Sequence, residues 1–264
     1  MSSRPPRVFI TGASSGLGAA LARHYGALGA QLGLAGRKIE GLQASAGGLN
    51  AQLYLADVCD AAAMRDAAEA FIRDVGVPDI VIAAAGISIG TLTEKTEDAP
   101  VFRAVMDANV LGLVHTFQPF IEAMHARAEP DSADQARGIL CGISSVAGAR
   151  GLPGGGAYSA SKAAATVYLE ALRLELKARG IAVVTVAPGY IDTPMTQVNP
   201  YAMPFKMTAQ VAAAKVVRCI ARRRAYTVIP WQMAWVARLL KWLPIPVYDA
   251  IFEKAPRKPR GLPT

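Results

Sequence analysis

Paired cysteines, metal-ligand spacings and dense charge are all missing from this 264-residue sequence. Its three cysteines are odd in number and far apart, which argues against a disulfide framework and against a cysteine-bound zinc site. The three histidines have no metal-ligand spacing either, so we expect no bound metal. Charged residues make up 18% and hydrophobic residues 52% of the chain, which excludes a disordered protein and indicates a globular one.

A secretory signal is also missing from the N-terminal residues, which hold no long apolar run and no small-residue cleavage pattern. We therefore expect a cytoplasmic protein. The formal net charge of +8 comes from the C-terminal part, because residues 215–264 hold 11 Lys and Arg against 2 Asp and Glu. No zinc-finger, helix-turn-helix or RNA-recognition pattern accompanies these basic residues, so nucleic acid is not an expected partner.

Short apolar runs alternate along the chain with longer segments of helical period. The predicted strands are Val8–Thr11, Gln31–Ala35, Leu53–Ala56, Ile80–Ala84, Gly138–Ser144, Ile181–Ala187 and Tyr226–Ile229. The predicted helices are Leu17–Leu28, Ala61–Asp74, Pro100–Ala126, Tyr158–Arg179 and Thr208–Arg223. Strands this apolar suit a parallel sheet that helices cover on both faces. The pattern predicts a doubly wound α/β fold of the Rossmann type, with ligand sites just after the strands.

No internal repeat or linker divides this pattern. We expect a single domain over residues 1–264, with its core at 7–229 and a C-terminal extension at 230–264. The polar segment Ala128–Gly138 predicts an exposed loop between a helix and the fifth strand.

A glycine-rich turn follows the first predicted strand and opens a helix. It reads TGASSGLG, and its candidate phosphate-binding residues are Gly12, Ser14, Ser15, Gly16, Leu17 and Gly18. Gly12 can make the tight turn, Gly16 lets backbone amides approach a pyrophosphate, and Gly18 permits close helix–strand packing. The N-terminus of the helix then presents unpaired N–H groups to the anion, so the turn predicts a dinucleotide site.

The end of the second strand distinguishes the two nicotinamide cofactors. An NAD site needs an acidic residue there to bind the hydroxyls of the adenosine ribose. The sequence instead places Arg37 at this point, and a guanidinium pairs well with the 2′-phosphate of NADP. We therefore expect NADP(H) in preference to NAD(H), with the Asp57 carboxylate, next to Val58, accepting the adenine amino group. A solvated Arg37 at a helix start and an N-capping Asp57 are the alternatives.

A serine, a tyrosine and a lysine form the candidate catalytic group. Ser145 ends the fifth strand, and Tyr158 and Lys162 lie four residues apart on one face of the next helix. A free tyrosine, with a pKa of about 10, is a poor acid at neutral pH. A lysine ammonium about 4 Å away supplies roughly 4 kcal/mol, enough to lower that pKa by about three units. We predict that Tyr158 exchanges a proton with a substrate oxygen, which Ser145 orients, while hydride passes to or from nicotinamide.

The glycine turn, Ser145 and the Tyr158–Lys162 pair together resemble the short-chain dehydrogenase/reductase family in its single-domain branch. The resemblance covers about residues 7–229. It implies that TGASSGLG is the cofactor loop and that Ser145, Tyr158 and Lys162 are catalytic, with Tyr158 and Lys162 also contacting the cofactor. It further implies that Asn109 is a fourth catalytic residue, which holds a water that relays protons from the lysine.

The resemblance also implies two further cofactor contacts. After the sixth strand, Pro188 and Gly189 lead into a segment whose Ile191 backbone and Thr193 hold the nicotinamide carboxamide. Where the family has Asn-Ala-Gly after the fourth strand, this sequence has three alanines and a glycine. The missing asparagine removes a sheet-stabilising hydrogen bond, and the small Ala85 and Gly86 still leave room for the adenosine ribose.

Residues 193–208 are the expected substrate lid. The lid offers adaptable apolar side chains and no arginine cluster or acidic pair; they are Met195, Tyr201, Met203, Phe205 and Met207. This composition favours a lipophilic ketone, aldehyde or alcohol as substrate. The alternative is that these side chains simply pack the loop against the protein.

The C-terminal extension holds all three tryptophans. Trp231, Trp235 and Trp242 fall on one face of a helical wheel. Basic residues flank or bracket this face; they are Arg222, Arg223, Arg224, Arg238, Lys241, Lys254, Arg257, Lys258 and Arg260. Such a segment can lie in a membrane interface through residues 230–260, and prolines and charges prevent it from spanning one. The alternative is a helix that closes the substrate pocket or forms a subunit contact.

The sequence thus predicts an NADP(H)-dependent oxidoreductase that acts on a carbonyl or secondary alcohol of a lipophilic molecule. A cofactor-binding regulatory or scaffold protein without turnover is the alternative. A nucleotide-sugar epimerase or dehydratase would need different glycine spacing and a larger C-terminal region. We expect a homodimer or a homotetramer.

Overall fold

A parallel β-sheet organises the protein. The structure, a computed structural model, describes residues 4–127 and 136–261. The strands in these ranges are β1 Arg7–Thr11, β2 Gln31–Gly36, β3 Ala51–Leu55, β4 Ile80–Ala83, β5 Gly138–Ile143, β6 Ile181–Pro188, β7 Ile191–Asp192, β8 Met207–Thr208 and β9 Tyr226–Ile229. Seven of them form a parallel sheet in the order β3-β2-β1-β4-β5-β6-β9, and the short β7 and β8 pair with each other.

Helices lie on both faces of this sheet. They are α1 Gly16–Ala27, α2 Ile39–Ala46, α3 Ala61–Asp74, α4 Ala99–Met106, α5 Gly112–His125, α6 Gly156–Glu175, α7 Pro194–Gln197, α8 Ala209–Ala221, α9 Trp231–Trp242 and α10 Ile245–Phe252. Across the described part of the chain, each helix is too short or too polar to span a bilayer.

The alternation of side chains along each strand builds two apolar cores. Val8 and Ile10 of β1 point to one side of the sheet and pack in a cluster with α1 and α8. Phe9 points to the other side, where its ring centroid lies 5.4 Å from that of Phe71 on α3 and 4.9 Å from that of Phe120 on α5. Because these rings are fully buried, each contributes about 1.5–3 kcal/mol relative to an exposed position.

The doubly wound parallel fold predicted from the sequence is confirmed. The chain runs outward from β1 to β3 on one side and from β4 to β9 on the other, so the strand order reverses between β1 and β4. In folds of this kind, ligands bind beyond the carboxyl ends of the strands at that reversal.

Two helix predictions need correction. The predicted helix Pro100–Ala126 is divided by a π-helical turn, Asp107–Leu111, between α4 and α5. This turn adds a residue to the helical repeat, which an apolar periodicity of 3.6 does not reveal. The sequence pattern also missed α2, whose eight residues bury only Leu42 and Ser45. Most of the predicted loop Ala128–Gly138 lies outside the described residues.

The C-terminal segment folds back over the loop that precedes α6. The hydroxyl of Tyr248, on α10, donates a hydrogen bond to the carbonyl oxygen of Gly151. The guanidinium of Arg150 lies 4.0 Å from the centroid of the Tyr248 ring and donates to the carbonyl oxygens of Leu240 and Leu243. These contacts join the C-terminal helices to the segment between Ser145 and Tyr158.

Candidate active site

The turn between β1 and α1 is packed tightly against neighbouring backbone. Gly12 and Gly16 have φ angles of +69° and +55°, which favour glycine. A Cβ atom at Gly12 would lie 2.6 Å from the Cα of Ala85, and one at Gly18 would lie 2.2 Å from the carbonyl oxygen of Gly12. Ser15 precedes α1 and makes no side-chain capping bond. The first-turn N–H groups therefore face an anion site without competition from a capping side chain.

A cleft of about 520 Å³ brings the predicted cofactor residues together. It lies where the ends of several parallel strands meet α1 and α6. Its lining includes Gly12, Ser14, Ser15, Gly16, Leu17, Gly18, Arg37, Asp57, Val58, Ala85, Gly86, Tyr158, Lys162, Pro188, Gly189, Ile191 and Thr193. Ser145 lines the same cleft, so the candidate catalytic group and the phosphate-binding turn share one cavity.

Arg37 follows β2 and faces solvent at the edge of this cleft. Its side chain is 63% exposed, and its Nη1 lies 3.8 Å from Oδ2 of Asp57. An exposed ion pair of this kind contributes only about 0–1 kcal/mol, so the guanidinium can exchange its partner for a phosphate at little cost. Asp57 accepts a hydrogen bond from the N–H of Cys59 at 3.0 Å, and it is Asp60 that caps α3.

Ser145, Tyr158 and Lys162 converge inside the cleft. The Ser145 hydroxyl accepts a hydrogen bond from the N–H of Ala147 at 3.1 Å and is bonded to the Tyr158 side chain. Lys162 lies one turn after Tyr158 on α6, with its Nζ 5.8 Å from the centroid of the tyrosine ring. That Nζ also donates to the carbonyl oxygen of Ile143 at 2.9 Å, which fixes the ammonium at the end of β5.

Burial controls the titration of this group. It raises the pKa of Tyr158 above its ordinary value, and the hydrogen bond with Ser145 opposes the rise. Burial lowers the pKa of Lys162 to about 8. Desolvation opposes the lowering of the Tyr158 pKa that we expect from Lys162, and that lowering stays a prediction. The phenol is protonated at neutral pH and can donate its proton.

Asn109 joins three elements behind the cleft. It lies in the π-helical turn and is 2% exposed. Its Oδ1 accepts from the N–H of Ile87 at 2.8 Å, and its Nδ2 donates to the Ile87 carbonyl oxygen and the Ser161 hydroxyl, both at 2.9 Å. These bonds hold the loop after β4 against α6. The water relay through Asn109 stays a prediction.

Comparison with known proteins identifies the family of the chain. A family model described as short chain dehydrogenase matches residues 6–202. The chain belongs to the short-chain dehydrogenase family. An uncharacterized oxidoreductase of Myxococcus xanthus is 36% identical over 246 residues, which are 91% of this chain and 94% of that protein.

Other short-chain dehydrogenases support this assignment. Dehydrogenase/reductase SDR family member 7B of Mus musculus is 34% identical over 196 residues, 70% of this chain and 58% of that protein. The crystal structure of levodione reductase has a TM-score of 0.75 and 25% identity, over 87% of this chain and 98% of that chain. The chain is therefore a dehydrogenase/reductase of an NAD(P)-binding family, and its glycine cradle fits the pyrophosphate of such a cofactor.

The segment after β6 closes the other side of the cleft in this short-chain dehydrogenase. The N–H of Gly189 donates to the carbonyl oxygen of Ile229 at 2.7 Å. Thr193 caps α7 in a reciprocal pair with Thr196. A Cβ atom at Gly16 would lie 3.2 Å from Cγ2 of Thr193, so this segment faces the phosphate cradle directly.

The predicted lid gives the cleft less apolar surface than its composition suggests. Met195 lines the cleft. Met207 instead belongs to the core, because β8 pairs with β7 and draws its side chain inward. Phe205 is 50% exposed, and Tyr201 packs against Tyr190 with ring centroids 6.4 Å apart. Tyr201 and Met207 thus pack the loop against the protein, as the alternative expected.

Sequence reasoning missed two polar residues beside Tyr158. Ser88 follows β4, and Lys258 belongs to the C-terminal tail. The Nζ of Lys258 donates to the Ser88 hydroxyl at 2.8 Å and lies 6.0 Å from the centroid of the Tyr158 ring. Lys258 is partly buried and Arg260 is paired with Asp98 and Glu97, so these two cations make contacts within the protein, and their part in a membrane contact stays a prediction. No local sequence pattern signals a contact between residues so far apart along the chain.

Proposed function

We propose that this short-chain dehydrogenase is an NADP(H)-dependent oxidoreductase that acts on a carbonyl or secondary alcohol of a lipophilic molecule. The observation that supports it best is the convergence of Ser145, Tyr158 and Lys162 in the same cleft as the phosphate cradle. When bound there, the nicotinamide supplies or accepts the hydride. The test is NADPH oxidation, followed by reduced-nicotinamide absorbance, with a panel of hydrophobic ketones such as 2-decanone and acetophenone.

Each polar residue of the cleft has a separate task in this proposal. Tyr158, which is protonated at neutral pH, donates its proton to the carbonyl oxygen. Ser145 holds the same oxygen by a hydrogen bond. Lys162 places a positive charge beside the phenolate that forms. Through its three hydrogen bonds, Asn109 holds the loop that follows β4 in a fixed position relative to helix α6.

A cofactor-binding scaffold without turnover is the alternative function. The converging Ser145, Tyr158 and Lys162 disfavour it, because a protein that only binds the cofactor does not need a protonated phenol at the reacting end. Tight NADPH binding with no turnover of any ketone in the panel would favour the scaffold.

The preference for NADP(H) depends on Arg37. We expect the protein to bind NADPH more tightly than NADH, and Arg37→Met to raise the Kd for NADPH by about 10–100-fold, since a charge-assisted hydrogen bond contributes about 1.5–3 kcal/mol. The Kd for NADH should change little, because NADH has no 2′-phosphate. Titration by fluorescence measures both constants. Arg23→Met, an exposed arginine on α1, is the control. Tighter binding of NADH by the unaltered protein would contradict the proposal.

We further propose that α9 docks on an anionic membrane surface. Trp231, Trp235 and Trp242 are 67%, 63% and 82% exposed, and Leu239 on the same helix is 63% exposed. A water-soluble surface rarely exposes so much contiguous apolar area without a partner. Tryptophan favours the interface between water and lipid, where its ring is buried and its N–H can still find an acceptor.

The charges beside this tryptophan face favour anionic lipid. The Arg238 guanidinium lies 5.4 Å from the ring of Trp235. A groove of about 590 Å³ borders Trp231, and the charged side chains in its lining are Arg173, Arg224, Arg238 and Lys241 against Glu170 alone. Each basic residue near a negative surface contributes about 1 kcal/mol of attraction.

Flotation with liposomes tests this docking. The protein should float with vesicles that contain phosphatidylserine and much less with pure phosphatidylcholine, and replacing all three tryptophans with serine should abolish flotation. The control replaces Val167 and Leu174 with serine. These two apolar residues lie on α6 and are about as exposed as Trp231 and Trp235. Flotation by the triple variant would overturn the proposal. A lower oligomeric mass of that variant, without any flotation of the unaltered protein, would make α9 a subunit contact instead.

A further inference from the structure

The C-terminal tail is fixed to the body of the protein by an ion-pair cluster. The Nε of Arg260 lies 2.7 Å from Oδ2 of Asp98, and its Nη2 lies 3.1 Å from Oδ1 of Asp98 and 2.9 Å from Glu97. Asp98 is buried, and its Oδ2 also accepts from the N–H of Leu92 at 2.8 Å. The N–H of Gly90 donates to the carbonyl oxygen of Pro259 at 2.9 Å. The tail is thereby held against the loop that follows β4.

The tail packs closely against two glycines of the body of the protein. A Cβ atom at Gly90 would lie 2.3 Å from the carbonyl oxygen of Lys258, and one at Gly154 would lie 2.8 Å from Cβ of Arg257. The tail therefore lies between the loop after β4 and the loop before α6. Lys258 lies between Arg257, which contacts Gly154, and Pro259, which accepts from Gly90, and its Nζ is 6.0 Å from the centroid of the Tyr158 ring.

The ammonium of Lys258 has no carboxylate partner there. Among the described residues, no Asp or Glu lies within ion-pair distance of its Nζ, and the Ser88 hydroxyl is its hydrogen-bond acceptor. Burial lowers the pKa of Lys258 to about 8, so the group is still mostly charged at neutral pH. A partly desolvated charge without a counter-ion is unfavourable, and an ammonium has three donors, of which Ser88 uses one.

We propose that Lys258 is a substrate-binding residue that receives the carboxylate of a lipophilic oxo acid. One cation beside one hydroxyl suits a singly charged carboxylate, whereas phosphate is typically bound by several donors and arginine forks. Lys258 lies 6.0 Å from the Tyr158 ring, so the carboxylate and the reducible carbonyl are separated by only a few bonds.

The reaction that follows is balanced. A nicotinamide bound in the cleft would supply the hydride that the carbonyl carbon takes up, Tyr158 would give its proton to the carbonyl oxygen, and the products would be a hydroxy acid and the oxidised cofactor. Lys258 takes no part in bond making and holds the carboxylate throughout. This step rests on the proposed oxidoreductase function, whereas recognition of the carboxylate does not.

The test compares 4-oxodecanoate with its neutral amide, 4-oxodecanamide. Calorimetry in the presence of NADP⁺ measures binding without turnover, and NADPH oxidation measures KM and kcat. We expect the acid to bind about 10–100-fold more tightly than the amide, and Lys258→Met to remove that difference. Lys258→Arg should restore much of it. Lys254→Met, on the same tail and exposed, should leave both ligands unaffected.

Two results would overturn the assignment. One is equal binding of the acid and the amide by the unaltered protein. The other is an equal loss for both ligands in Lys258→Met, which would mean that the lysine only anchors the tail. If neither compound is reduced but the acid still binds through Lys258, the oxidoreductase proposal fails and the carboxylate site stands.

Discussion

Tyr158→Phe should lower kcat for ketone reduction by about 10²–10⁴-fold and leave NADPH binding nearly unchanged. The phenylalanine ring preserves the packing of α6 and the proximity to Lys162 and Lys258. It removes only the hydroxyl, which is hydrogen-bonded to Ser145 and would donate the proton. Steady-state NADPH oxidation with 2-decanone gives kcat, and fluorescence titration gives the cofactor Kd.

Tyr168→Phe is the matched control for this substitution. Tyr168 lies on the same helix, packs against the core on the side of α3 and α5, and does not line the cleft. It should keep its kcat, since it loses a hydroxyl far from the reacting atoms. If Tyr158→Phe retained most of its kcat, proton donation by Tyr158 would be wrong. If it lost NADPH binding in parallel, the residue would belong to the cofactor site alone.

The sequence predicts the cleft well because parallel strands end at the same edge of the sheet. The glycine turn after β1, Arg37 after β2 and Asp57 after β3 are far apart in the chain, and the strand pattern alone places them side by side. Ser145 after β5 joins them for the same reason. The strand pattern was therefore enough to group these four positions, whereas the contacts after β4 and β6 came from the family resemblance.

The substrate side escapes prediction because tertiary contacts build it. Arg260 pairs with Asp98 across 162 positions, and this pairing brings Lys258 to Tyr158. The sequence alone groups Lys258 with the basic residues that bracket the tryptophan face, because no local pattern signals its contact with Ser88. Met207 shows the same limit, because its place in the core depends on pairing with Ile191.

The electrostatics of Tyr158 depend on burial, which the sequence does not give. The spacing of Tyr158 and Lys162 gives a charge at short range, but it does not give the depth of burial. Desolvation acts on both groups, raising the tyrosine pKa and lowering that of the lysine. Burial is a property of the folded cleft, so no spacing rule supplies it.

Gly12→Ala should damage both the fold and the cofactor site. A φ of +69° costs a non-glycine residue about 1–2 kcal/mol. The added Cβ would also lie within 2.6–2.9 Å of backbone atoms of Ala84 and Ala85, which cannot rotate away. We therefore expect the free energy of unfolding to fall by about 3 kcal/mol or more, since backbone shifts that relieve overpacking add about 1–3 kcal/mol. The Kd for NADPH should rise at least about tenfold, because the displaced turn no longer presents its amides.

Substitutions at two other glycines distinguish the cost of backbone strain from the cost of steric overlap. Gly29 has a φ of +77°, and a Cβ there would meet nothing within 4 Å, so Gly29→Ala should cost only about 1–2 kcal/mol and leave the NADPH Kd unchanged. Gly16 has a φ of +55°, and a Cβ there would lie 3.2 Å from a movable methyl group of Thr193. The stability of Gly16→Ala should fall between those of Gly12→Ala and Gly29→Ala. Its binding of NADPH should still be weaker, because the Gly16 backbone belongs to the cradle. Denaturant unfolding of all three variants ranks their stabilities, and cofactor titration ranks their Kd values for NADPH. Equal losses at Gly12 and Gly29 would show that conformational strain alone matters, and that the contact between the turn and the loop after β4 does not shape the phosphate site.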